Sequence, residues 1–95
     1  ENDTMKPIKE LTGAAARGDL NTMRAVLKAD RALVEEWKPL MDACFAGQAD
    51  AVKLLLDHGA KINQTDGEGR TPLARARERK RKKAVDFLAA RGAEG

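Results

Sequence analysis

The residues able to do chemistry are few and unevenly placed. Seven Lys or Arg fall within the nine residues Arg75–Lys83. Such a run, including Arg75, Arg79, Lys80, Arg81, Lys82 and Lys83, offers either salt-sensitive contacts to phosphate or simply a solvated face. No aromatic interleaves it, so it lacks a platform for stacked bases, and the solvated face is the first reading. The chain has one histidine, His58, and one cysteine, Cys44. That pair cannot build a Cys-rich structural zinc site, and a lone Cys cannot close an internal disulfide. No carboxylate pair or nucleophile is placed with His58, so the pattern does not read as an enzyme. A local role at a helix C-terminus suffices for His58. Gly67 and Gly69 follow the polar stretch KINQTD. A phosphate loop would follow a buried strand and open a long helix, so this reads as a tight turn. No metal and no cofactor is expected.

Composition limits what can position these residues. Ninety-five residues make one small domain with a modest core. The only aromatics are Trp37, Phe45 and Phe87, so Ala and Leu must carry the packing. That suits short, closely stacked helices and not a β-sandwich. Residues 1–69 hold nine Lys/Arg against twelve Asp/Glu, and residues 70–95 hold nine against three. The basic character is therefore local to the C-terminal end. No apolar run approaches the ~20 residues of a membrane span, so no membrane partner is expected. A cytoplasmic location is the favoured expectation. The chain opens on Glu1, and export after removal of a signal stays open.

The chain repeats itself. A shift of 33 places Pro39-Leu40 on Pro72-Leu73, Ala43 on Ala76, Val52 on Val85, Leu55 on Leu88 and Gly59-Ala60 on Gly92-Ala93. A shift of 29 places Leu11 on Leu40, Ala14 on Ala43, Gly18 on Gly47, Val26 on Leu55 and Leu27 on Leu56. There are thus three units, and the first link is four residues shorter than the second. Within a unit, Thr71-Pro72 is an N-cap with Pro at the first helical position. The spacing predicts first helices over about 39–46 and 72–79. Gly47 permits a left-handed turn, and a second helix follows over about 49–57, with Val52, Leu55 and Leu56 at helical spacing. Asp66-Gly67 then reads as a hairpin-like turn.

These motifs resemble the ankyrin repeat: KPLMDACFAGQADAVKLLLDHGAKIN in the middle unit, RTPLARA opening the third and FLAARGA closing it. The likeness covers about residues 10–95. It implies an all-α solenoid of three helix-turn-helix units with short hairpin loops, units about 10–37, 38–70 and 71–95. Residues 1–9 are expected to be a flexible N-terminal segment. Met41 and Ala74 stand where the family opening usually has His, Lys80 stands at the mid-unit Gly, and the first unit opens on Glu10-Leu11. Arg77 occupies a position that is small and packed in the family. Since a unit buries its face only against neighbours, units one and three read as caps.

The same resemblance implies a binding module for a partner protein, working as a monomer. Family partners lie across the hairpin tips and first helices, on the concave side. The expected contacts are Trp37, Met41, Phe45, His58, Asp66, Glu68, Arg70 and Glu78, with Trp37 at the base of a hairpin and Glu78 matching Phe45 one unit on. An electrostatic adaptor for nucleic acid or an acidic surface, through the basic run, is the alternative. Cys44 is expected to be a buried, inert thiol.

Overall fold

A computed structural model describes residues 6–94. The described residues form six helices and no strand. They are α1 (Lys6–Arg17), α2 (Leu20–Ala29), α3 (Trp37–Ala46), α4 (Ala49–Asp57), α5 (Pro72–Glu78) and α6 (Lys82–Ala90). Helices pair as α1/α2, α3/α4 and α5/α6, and the pairs stack. The first helices form one layer, with α3 packed between α1 and α5, and the second helices α2, α4 and α6 form the other. No helix among the described residues is long and apolar enough to cross a membrane.

The two layers close on small residues. Ala14, Ala43 and Ala76 are fully buried at equivalent points of the first helices, beside Leu11, Leu40 and Leu73. Alanine lets the helix axes approach while leucine fills the remaining space. In the second helices, Met23, Leu27, Val52, Leu55, Ala84 and Leu88 face inward. The sequence alignment paired Val26 with Leu55, but Leu27 is the residue buried with it and Val26 is only half-buried. The buried pair is Met23 and Leu27, four apart, in α2 and Val52 and Leu55, three apart, in α4; both spacings lie on one helical face.

Each unit turns in the same way. Asp19 N–H donates to Ala14 O (2.8 Å), Gln48 N–H to Ala43 O (2.9 Å) and Arg81 N–H to Ala76 O (2.9 Å). These bonds close a helix C-terminus around a left-handed residue. That residue is Gly18 (φ 77°), Gly47 (φ 78°) and, in the third unit, Lys80 (φ 57°). A left-handed conformation costs a side-chain-bearing residue about 1–2 kcal/mol, partly offset by the floppiness glycine adds to the unfolded chain. Lys80→Gly is therefore expected to stabilise the domain by about 0.5–1 kcal/mol. A rise in urea midpoint at unchanged slope would show it; a fall would mean that the Lys80 side chain does more than decorate the turn.

The units are also clasped across these turns. Gln48 Nε2–H donates to Ala16 O at 3.2 Å, and Arg81 Nε–H donates to Phe45 O at 3.0 Å. Both side chains lie over the preceding glycine: a Cβ on Gly18 would meet Gln48 Oε1 at 2.6 Å, and one on Gly47 would meet Arg81 Cδ at 2.7 Å. So glycine here serves the turn and the neighbouring unit together.

Three sequence expectations are corrected. Helix α1 begins at Lys6, so residues 6–9 belong to it and not to a flexible segment; residues 1–5 of that segment lie outside the described residues. Helix α3 begins at Trp37, which is its first residue and not the base of a hairpin. The first link is no hairpin at all. It is a 3-10 turn over Arg31–Glu35, started by Asp30, whose carboxylate accepts from Ala32 N–H at 3.2 Å, and pinned by buried Val34. That compact turn accounts for the missing four residues.

Candidate functional site

An open groove of about 460 Å³ runs beside α3. Trp37, Lys38, Met41, Asp42 and Phe45 form its helical side, and Asp66, Gly67, Glu68 and Arg75 form the side belonging to the following loop and α5. Trp37, Met41 and Phe45 are spaced four apart on α3, so helical geometry aligns them along one side. Trp37 is 39% exposed and Phe45 41%. These are large apolar surfaces to leave in water. Met41, only 3% exposed, is floor and not rim. Its expected role as a contact reduces to shaping the bottom of the groove. The Arg79 guanidinium stacks over the Phe45 ring at 4.3 Å, within cation–π range.

The opposite wall is held by charge. Asp66 Oδ1 accepts from Glu68 N–H (2.8 Å) and Arg70 N–H (3.0 Å), closing the turn that the Asp66-Gly67 pair predicts. Its Oδ2 accepts from Arg75 Nε–H at 2.7 Å. Arg75 then reaches Glu68 (2.7 Å) and Glu78 (3.1 Å), and Glu78 also pairs with Arg70. The Arg70 and Glu68 N–H groups, with the Arg75 guanidinium, hold the Asp66 carboxyl below its ordinary range. Glu68 and Asp66 in turn keep Arg75 more firmly charged. On the helical side, burial pushes Asp42 up, against the pull of Lys38, whose ammonium is 3.8 Å away.

This arrangement sorts the expected contacts. Trp37, Phe45 and Glu68 come together with Met41 beneath them. Asp66 is enclosed, with a side chain 4% exposed, so it braces the wall and offers little to a ligand. Arg70 and Glu78 pair with each other at the edge. His58 is elsewhere: it ends α4 in the second layer and borders a different cleft, with α2.

The basic run is likewise divided. Arg75, with a side chain 20% exposed, sits among three carboxylates and is no part of a free cationic patch. Arg79 lies on Phe45, Arg81 bonds Phe45 O, and Lys82 is 3.5 Å from Asp86. Lys80 and Lys83 are the members of Lys80–Lys83 without such a partner among the described residues. By sequence Arg75 reads as a surface charge, because it opens a run of cations. The acids that enclose it come from seven and nine residues back and from the next turn. Cys44 is buried, and burial pushes its thiol up to about 12, so almost no reactive thiolate exists at neutral pH.

Residues 11–95 match a family model of ankyrin repeats in three copies. The chain belongs to the ankyrin repeat family. An ankyrin repeat protein of Escherichia coli (strain K12), YahD, is 36% identical over 93 positions, covering 87% of this chain and 46% of that protein. The serine/threonine-protein kinase VIK of Arabidopsis thaliana is 34% identical over 83 positions, covering 82% of this chain and 19% of the kinase. The chain spans less than half the length of either relative. Ankyrin repeats are generally protein–protein interaction modules and typically non-enzymatic. In this ankyrin domain the groove beside α3 combines exposed aromatics with a rigid, charged wall.

Proposed function

We propose that this chain binds a partner protein through the groove beside α3, as a monomeric, non-catalytic module. In this reading it acts as one domain, with the first and third units capping the second. Trp37 and Phe45 are the anchors. The observation that carries the reading is their joint exposure on the two ends of one groove, over a buried Met41. Large aromatics that stay accessible in the free state are the usual energetic centres of interfaces. Glu68 at the loop tip, with Arg70 and Glu78 at the edge, would supply the polar rim. A surface of three units is small, which suits an affinity in the micromolar range.

The test is affinity capture from the native source with wild type and with Trp37→Ala/Phe45→Ala as parallel baits, followed by calorimetry on the captured protein. The double variant is expected to bind at least about tenfold more weakly, as hot-spot truncations do. Its circular dichroism and urea midpoint should stay close to wild type, since both side chains are already half in solvent. Unchanged affinity would move the interface away from this groove.

A further inference from the structure

The second-layer face carries a different chemistry. A cleft of about 430 Å³ lies between α2, the 3-10 turn and the end of α4, lined by Arg24, Leu27, Lys28, Arg31 and His58. Leu27 is buried and forms its floor. Four nitrogen-bearing side chains thus border one cavity, with no carboxylate lining it. Arg24 and Lys28 are four apart on α2, so they share a face and repel. Arg31 follows at the start of the 3-10 turn. Among the described residues, Arg24, Lys28 and Arg31 make no ion pair.

Two of the nearby acids are occupied. Asp30 accepts from Ala32 N–H at 3.2 Å. Asp57 is taken by Lys53 at 2.7 Å and Arg91 at 3.3 Å. Arg24 also borders a neighbouring recess with Asp50 and Asp57, but pairs with neither. Repelling cations that the fold gathers and leaves uncompensated are a site for an anion. His58 adds a directional group. Its Nδ1–H donates to Leu54 O at 2.9 Å, since a carbonyl can only accept. That fixes the ring and leaves Nε2 for a ligand, as a donor when the ring is charged and as an acceptor from a P–OH group when it is not.

We propose that Arg24, Lys28, Arg31 and His58 form a binding site for a phosphate group. Two guanidinium forks match the oxygen geometry of phosphate, and a dianion answers three cations better than a carboxylate would. The group could be free phosphate or a phosphorylated side chain, and the same four residues would hold either. This site shares no lining residue with the groove beside α3 and does not depend on the role assigned to that groove.

His58 is the chain's single histidine, so its ring signals in proton NMR are an unambiguous local reporter. Inorganic phosphate and phosphoserine are titrated separately into the protein, at fixed pH and at ionic strength held constant with chloride. The expected result is a saturable movement of the His58 signals in the millimolar range. Tighter saturation by phosphoserine assigns the site to phosphorylated side chains, and tighter saturation by phosphate assigns it to the free anion. Arg24→Gln/Lys28→Gln/Arg31→Gln keeps the reporter and should weaken saturation at least tenfold. Lys80→Gln/Lys82→Gln/Lys83→Gln removes equal charge at the other end of the chain and should change it less than twofold. Should the first triple variant fold poorly, Arg31→Gln alone is read, with an expected loss of about threefold. A shift linear in ligand, or equal weakening by both triple variants, overturns the proposal.

Discussion

Leu40→Ala is expected to destabilise the domain by about 2–5 kcal/mol, the range for a fully buried leucine. A domain of this size has a total stability of only about 5–14 kcal/mol, so the variant should be largely unfolded at modest urea. Leu40 is completely buried on α3, and α3 is the first helix with neighbours on both sides. The cavity would open into two interfaces at once. In a stack stabilised by nearest-neighbour contacts, the equivalent truncation at an end should cost less. Leu73→Ala, on α5, tests this, because Leu73 packs back onto the middle unit with no described unit beyond. Urea unfolding of both variants gives the ranking. Leu40→Met, which keeps the volume, should lose less than about 1.5 kcal/mol and separates cavity formation from a general intolerance of substitution. Equal costs at Leu40 and Leu73 would mean that cooperativity is not organised around the middle unit.

The scaffold was legible in the sequence because it is periodic. Pro39-Leu40 and Pro72-Leu73, Gly18 and Gly47, and Gly59-Ala60 and Gly92-Ala93 each answer a backbone requirement that recurs once per unit, so a shift of the sequence exposes it. The turn at Asp66-Gly67 was legible for the same local reason. The site was legible only where it depends on position within a helix. Trp37, Met41 and Phe45 share one side of α3 by their spacing of four, but that spacing does not say that Met41 is covered while Trp37 and Phe45 stay exposed. What could not be read was how side chains from different units meet. Arg81 over Gly47 and Gln48 over Gly18 are one recurring contact, yet Gln and Arg share no pattern that a self-comparison detects. The ankyrin resemblance implies His58 as a groove contact, yet the cleft it borders is made with α2 and the 3-10 turn, whose conformation the shortened link conceals.

The second large effect is expected at Arg75, and its signature is a pH dependence. Arg75→Gln leaves Asp66, Glu68 and Glu78 close together with their common counter-charge gone. The neutral amide keeps some hydrogen bonding but cannot offset three carboxylates. The loop over residues 63–70 should loosen and Tm at neutral pH should fall by roughly 5–10 °C, the scale of a serious single-site loss in a domain this small. The sign with pH follows from Asp66. Its folded pKa is lowered, first by the Arg70 N–H and further by the Glu68 N–H and Arg75. A lowered carboxyl contributes stability that is fully present above its unfolded pKa, about 3.9 for Asp, and is lost as pH falls through the folded value. The Tm gap between wild type and Arg75→Gln should therefore be widest near neutrality and shrink below about pH 4. A gap independent of pH would mean that Arg75 acts by packing alone. Arg75→Lys should rescue little, because one ammonium cannot reproduce a fork that meets Asp66, Glu68 and Glu78 at once. Asp66→Ala should give a similar loss, and the double variant should lose less than the sum of the two, because both act through one network. Since this network is the wall facing Trp37 and Phe45, Arg75→Gln should also weaken partner binding, through a looser groove and not a missing contact.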